Sequence, residues 1–111
     1  MSAYIIAHVD VKDWDRYREY TRHTPRVIAQ FGGRFLIRGG EMTALEGDAQ
    51  KVRLVLIEFP SLDQAKAFYH SPAYAEIRKL RLGAGDATLV AIDGYAAAEW
   101  EKAVAESREL G

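Results

Sequence analysis

The stretch Val52 to Phe59 constrains this chain more than any other, because it is apolar on both sides of a strand. Successive side chains of a strand point to opposite faces, so Val55, Ile57 and Phe59 share one face while Leu54, Leu56 and Glu58 share the other. The run holds no Gly, and Pro60 ends it. Each apolar face of a sheet built on this strand has to be packed against another layer.

The flanking segments supply one such layer. Ala3 to Val9 is a β-branched and aromatic run that predicts a first strand. Asp13 then caps a helix with apolar positions at Trp14, Tyr17, Tyr20/Thr21, Thr24, Val27/Ile28 and Phe31, steps of three and four that make one stripe. Pro25 lies inside that stripe, removes a backbone donor and is expected to kink or split the helix just before it. Gly32-Gly33 supplies the left-handed stop. Arg34 to Arg38 predicts a short strand closed by Gly39-Gly40, and Glu41 to Lys51 predicts a long hairpin arm with a turn at Gly47-Asp48.

After Pro60, Ser61-Leu62-Asp63-Gln64 forms a capping box for a second helix with Leu62, Ala65, Phe68 and Tyr69 inward. Ser71-Pro72 restarts it, Ser as cap and Pro at the first helical position, and Tyr74, Ile77, Arg78 and Arg81 then share a face. Ala87 to Tyr95 predicts the fourth strand. Ala97 to Leu110 predicts a terminal helix with Trp100, Ala103, Val104 and Ser107 on one side. The order β-α-β-β-α-β plus a tail helix is the ferredoxin-like α+β arrangement, an antiparallel sheet with both helices on one face. Residues 1–95 make this domain and 96–111 a C-terminal helical extension.

Two helices leave the other face of the sheet open. By alternation, Ile5, Ala7 and Val9 face the helices and leave Tyr4, Ile6 and His8 opposite. Phe35 and Ile37 leave Leu36 and Arg38, while Val90 and Ile92 leave Leu89, Ala91 and Asp93. The open face is then centred on Ile6, Leu36, Leu54, Leu56 and Leu89. An apolar surface of that extent is an aggregation hazard on a monomer, and the same face of a second copy, related by a two-fold axis, is the commonest cover. The expected partner is therefore the chain itself, in a homodimer whose two sheets enclose a barrel. With 111 residues, 49% of them hydrophobic, a single domain buries only about 60–70% of its unfolded surface, which favours the same conclusion.

Charge and composition exclude several classes. Fifteen basic and 16 acidic residues give a net charge of -1, without the concentrated positive charge that phosphate backbones require. No nucleic acid is expected as a partner. The absence of cysteine removes disulfides, thiolate nucleophiles and thiolate zinc sites. Met1-Ser2-Ala3-Tyr4 has no basic or long apolar leader character, and the apolar runs are far shorter than the ~20 residues of a membrane span. A cytoplasmic protein without a membrane partner is expected.

The predicted open face also carries His8, Arg38, Glu58 and Asp93, with Tyr4, Glu58 and Asp93 toward one end and His8 and Arg38 toward the other. Buried ionisable groups have to be paired or to line a wet cavity, and both readings stay open. His8 is either a general base, with a reference pKa of about 6.5, or a hydrogen-bonded interior histidine. Glu58 and Arg38 either polarise a carbonyl or carboxylate ligand or bridge the dimer. Tyr69, Tyr74, Arg78 and Arg81 either close a pocket mouth or serve as core and rim side chains. The candidate set is His8 and Glu58 as catalytic residues and Tyr4, Arg38, Tyr69, Tyr74 and Arg81 as ligand-binding residues. The three histidines have no metal-ligand spacing; neither metal nor cofactor is expected. Gly39-Gly40 and Gly83-Ala84-Gly85 lack the strand-to-helix setting of a phosphate loop, and no G-x-S-x-G motif occurs.

Gly32-Gly33-Arg34-Phe35-Leu36-Ile37-Arg38-Gly39-Gly40, Leu45-Glu46-Gly47, Glu58-Phe59-Pro60-Ser61, Phe68-Tyr69-His70-Ser71-Pro72-Ala73-Tyr74, Leu80-Arg81 and Asp93-Gly94 follow one another in order. Together they resemble the family called domain of unknown function 1330, over about residues 2–95. The resemblance implies a dimeric α+β barrel, in the superfamily that also holds antibiotic-biosynthesis-type monooxygenases and muconolactone isomerases, and it carries no established activity. Its matching positions are Arg38, Glu46, Glu58, Tyr69, Tyr74 and Arg81. Phe35 stands where the family is often Tyr-like, and the tail from Ala96 lies outside the family's core. The functional expectation is a small-molecule-binding homodimer acting as a cofactor-independent enzyme of monooxygenase or isomerase type. The alternative is a non-catalytic binding or regulatory module whose barrel interior is only a dimer core.

Overall fold

The computed structural model of the protein describes residues 1–48 and 52–111. Its elements follow in the order β1 (Ala3–Val11), α1 (Trp14–Gln30), β2 (Arg34–Arg38), β3 (Arg53–Phe59), α2 (Leu62–Tyr69), α3 (Pro72–Arg81), β4 (Gly85–Asp93) and α4 (Ala97–Arg108). The strands form one sheet in the order β2-β3-β1-β4, each neighbour antiparallel. This is the ferredoxin-like α+β arrangement. Ile5, Ala7 and Val9 of β1 and Val55, Ile57 and Phe59 of β3 pack against Tyr17, Tyr20, Val27, Ile28, Ala65, Phe68, Tyr74 and Ile77 of the helices.

The helix ends follow their side chains. Asp13 Oδ1 accepts the Arg16 N–H at 3.1 Å, and Ser61 Oγ accepts the Gln64 N–H at 3.1 Å. Ser71 Oγ accepts from Tyr74 N at 3.0 Å and donates to the Phe68 carbonyl at 2.7 Å, so one buried hydroxyl joins the end of α2 to the start of α3. At the end of α1, Gly33 N–H donates to Ile28 O and Gly32 N–H to Ala29 O, each at 3.0 Å, with Gly32 at φ 76°. This is the paired closure of a left-handed helix stop. The arm expected over Glu41–Lys51 is irregular and exposed through Asp48; residues 49–51 lie outside the described residues.

Three local expectations are corrected. Pro25 does not split α1, which runs continuously from Trp14 to Gln30. The carbonyl that Pro25 leaves without its helical donor is that of Thr21, and it accepts instead from Arg38 Nη2 at 2.8 Å and from Thr24 Oγ1 at 3.1 Å. The alternation of β2 breaks at a bulge between Phe35 and Ile37: Phe35 pairs with Ile57, Ile37 with Leu56 and Arg38 with Val55. Ile37 therefore joins the open face and Arg38 the helix side. In β4 the parity is the reverse of the one expected. Leu89 opposes Ala7 and Ala91 opposes Ile5, while Val90 opposes Ile6 and Ile92 opposes Tyr4. Both parities of β4 are apolar, so alternation alone could not choose between them. The observed register requires a residue without a side chain at its start, where Gly85 pairs with Val11 so closely that a Cβ would collide with the Asp10 carbonyl.

The open face consequently carries Tyr4, Ile6 and His8 from β1, Ile37 from β2, Leu54, Leu56 and Glu58 from β3, and Thr88, Val90 and Ile92 from β4. Val90 is 56% and Ile92 52% exposed. α4 buries none of its residues and has no side-chain cap. Among the described residues no helix is long and apolar enough to cross a membrane.

Candidate functional site

Between the helix side of the sheet and helices α1 and α3 lies a pocket of about 40 Å³. Its walls are apolar, with Ala7, Val55, Ile57, Phe68 and Leu89 among them, and its polar groups are Thr21, Thr24, Tyr17, Tyr20, Tyr74, Arg38, Arg53 and Arg81. No Asp, Glu or His lines it. Three guanidinium groups thus share one cavity without a counter-charge, and none of them belongs to an ion pair among the described residues.

Each arginine is held differently. Arg38 is delivered by the β2 bulge; its guanidinium lies 4.4 Å from the centre of the Phe35 ring and is fixed by the Thr21 carbonyl that Pro25 frees. It is exposed and marks the solvent side of the pocket. Arg53 shares the helix-facing parity of Val55 on β3 and sits 5.6 Å from the Tyr17 ring. Arg81, on α3, is only 6% exposed and stacks 5.6 Å from the Tyr20 ring centre. The Nε atoms of both Arg53 and Arg81 are buried without a hydrogen-bond partner. A buried donor left without a partner is costly, so each of these Nε groups is open to a further acceptor.

The Tyr20 and Tyr74 hydroxyls meet at 2.8 Å. A hydroxyl has one proton to donate; whichever of the two accepts therefore keeps its own proton for a further acceptor. Burial above all, and the Tyr74 hydroxyl next, pushes Tyr20 well above its ordinary value of 10.0, against the opposing pull of Arg81. Burial also raises Tyr17, offset by Arg53. The pocket thus offers cations and neutral phenol donors at neutral pH, and no group that takes up a proton there. A raised folded-state value contributes stability that is complete below the unfolded value of about 10 and is lost as pH climbs beyond it. Thermal melts across that range should therefore fall less steeply for Tyr20→Phe than for the natural protein; equal slopes would show that Tyr20 is not the group responsible.

Of the residues named from the sequence, Arg38, Tyr74 and Arg81 come together in this pocket. Tyr69 is half-buried with its ring 5.4 Å from that of Tyr74. Tyr4, His8 and Glu58 lie on the opposite side of the sheet. Tyr4 and Glu58 are cross-strand neighbours, and Glu58 Oε1 accepts from Arg34 Nε at 3.0 Å. His8, opposite Leu54 and Thr88, is four residues from Tyr4, about 13 Å along the strand. The placement expected for Arg38, on the open face toward the His8 end, is corrected by the bulge. Asp93 opposes Ala3 and so also leaves the open face. Glu46 is exposed. Among the described residues no three His, Asp or Glu side chains converge as metal ligands do. Sequence reasoning passed over Arg53, Tyr17 and Tyr20 as site residues. Arg53 was discoverable, since it is a charge at the core-facing parity of β3.

The family model for a domain of unknown function, DUF1330, matches residues 2–95. The chain belongs to the DUF1330 family. No curated protein matches it. Several solved structures share the fold of this DUF1330 member. A protein of unknown function from Rhodopseudomonas palustris superposes with a TM-score of 0.68 at 19% identity, covering 86% of this chain and 83% of its own. A dimeric ferredoxin-like protein of unknown function from Jannaschia sp. CCS1 gives 0.64 at 10% identity, covering 85% of this chain and 100% of its own. SnoaB, a cofactor-independent oxygenase from Streptomyces nogalater, gives 0.60 at 11% identity, covering 86% and 95%. At these identities the likeness is one of fold.

Proposed function

We propose that this DUF1330 protein is a homodimer, closed through the open faces of its two sheets, that binds a small organic molecule in the helix-side pocket of each protomer. The observation that carries the reading is the buried Arg81, whose Nε has no hydrogen-bond partner, on an apolar cavity beside Arg38, Arg53 and the Tyr20–Tyr74 pair. Apolar walls with a few convergent polar groups are the usual make-up of a ligand site. The open face, with Ile6, Ile37, Leu54, Leu56, Val90 and Ile92, supports the dimer, as does the dimeric state of the Jannaschia protein that shares the fold. Residues 1–95 form the binding domain and α4 is an appendage to it.

The chemistry this pocket supports is that of a ligand that arrives already ionised or supplies its own electrons, since the lining can stabilise negative charge and cannot remove a proton. That fits cofactor-independent oxygen or isomerisation chemistry on an acidic substrate; the fold neighbour SnoaB is by name a cofactor-independent oxygenase. In the dimer, His8, Tyr4 and Glu58 face the space between the sheets, apart from this pocket. The second reading, a binding module without catalysis, is favoured by the same absence of a base.

Ala7 lies on the pocket wall, and Ala7→Val narrows a space of only about 40 Å³. The dimer should remain intact, stability should change by less than the ~1–3 kcal/mol of ordinary overpacking, and ligands found by NMR screening of the natural protein should no longer bind. Undiminished binding by Ala7→Val would place the ligand elsewhere.

A further inference from the structure

Resting on that reading of the pocket, we propose that its ligand is a small organic acid bound as its carboxylate, the head group held between Arg81 and the Tyr20–Tyr74 hydroxyls, with Arg38 and Arg53 on the solvent side. Three features select this class. First, Arg81 is buried with an unpartnered Nε and no acid among the pocket's lining residues; a planar carboxylate is the partner that a guanidinium fork matches through two parallel hydrogen bonds. Second, the free space of about 40 Å³ holds a carboxylate but not a ring, since one water needs about 10–15 Å³ and benzene is taken up by a cavity of about 150 Å³. The remainder of the ligand must then extend toward the exposed Arg38. Third, the groups aimed at the anion are side chains on an apolar wall, without the glycine-rich turn of backbone N–H groups that cradles phosphate.

Arg38 owes its position to Pro25. Without a proline at 25, a helical N–H would compete with Arg38 Nη2 for the Thr21 carbonyl, which already accepts from Thr24 Oγ1 as well. Pro25 is thus a positioning residue for the solvent-side cation, and the bulge in β2 is what turns that cation inward.

The test is titration of the full-length protein with sodium acetate, sodium benzoate, acetamide, benzamide and inorganic phosphate at constant ionic strength. It is followed by thermal melts and by the amide resonances of Ala7 and Val55. The two carboxylates are expected to raise the melting temperature and to move those resonances, with the neutral amides and phosphate weaker by at least tenfold. Arg81→Met, an apolar side chain of similar length in place of a buried guanidinium, should keep the fold and lose benzoate binding. Arg38→Met, altered at an exposed position, should keep the fold and weaken benzoate by about tenfold, the worth of one charge-assisted hydrogen bond. Amides binding the pocket as well as carboxylates would overturn the carboxylate assignment while leaving the pocket reading intact, as would phosphate binding more tightly. No probe moving the Ala7 and Val55 resonances would overturn both. Unchanged benzoate affinity in Arg38→Met and Arg81→Met would remove the arginines from the site.

Discussion

Leu56→Glu is expected to convert the proposed dimer into a folded monomer. Leu56 lies at the centre of the open face, between Ile6 on β1 and Ile37 on β2, and points away from the helix-side core. The new carboxylate therefore disturbs nothing inside the protomer, and the far-UV spectrum should be retained. In the dimer the same carboxylate is buried without a partner, at about 3–5 kcal/mol, and two-fold symmetry places one in each protomer. Dissociation should tighten the monomer's advantage by at least about a thousandfold, the equivalent of about 4 kcal/mol. Sedimentation velocity over a micromolar range reads this directly, and a variant that stays dimeric throughout would show that the interface lies elsewhere.

Phe68→Ala should be the most damaging change in the core. Phe68 is 1% exposed and its ring sits 4.7 Å from Tyr74, 5.2 Å from Phe59 and 6.1 Å from Phe31. It ties α2, α3, β3 and the end of α1 together. Truncating a buried Phe costs about 3–5 kcal/mol, and each kcal/mol is worth about 4–8 °C in a domain near this size, so a fall of at least about 12 °C is expected. Phe68 also lines the pocket, and the void left by its ring would open into it. A melting temperature within a few degrees of the natural protein's would mean that the aromatic cluster is not what holds these helices to the sheet.

The element order was legible because each boundary carries its own chemistry: Asp13, Ser61 and Ser71 as caps, Pro72 at a helix start and Gly32-Gly33 at a helix stop. The inward faces of β1 and β3 were legible because the opposite parity ends on His8 and Glu58, although Ile6, Leu54 and Leu56 make it apolar as well. The face of β4 was not, because Leu89 and Ala91 are as apolar as Val90 and Ile92, and the observed register brings Gly85 against Asp10 where no side chain fits. The β2 bulge was also invisible: five residues give too short a pattern to reveal a missed alternation, and a bulge is fixed by pairing with β3. That single residue moved Arg38 across the sheet. The same slip hid the pocket, whose cations had been divided between two faces. Pro25 misled for a related reason, as its cost falls on the Thr21 carbonyl and a distant side chain pays it.

The central claim is that a second copy of this chain covers the face made by Ile6, Ile37, Leu54, Leu56, Val90 and Ile92. The measurement that tests it most directly is an isotope-filtered NOE experiment on a mixture of methyl-labelled and unlabelled protein. Contacts between protomers are predicted at the methyl groups of Ile6, Leu56, Val90 and Ile92, and none at the core methyl groups of Val27, Ile28 or Ile77. Intermolecular contacts confined to other surfaces, or none at concentrations where the dimer should be complete, would contradict the account.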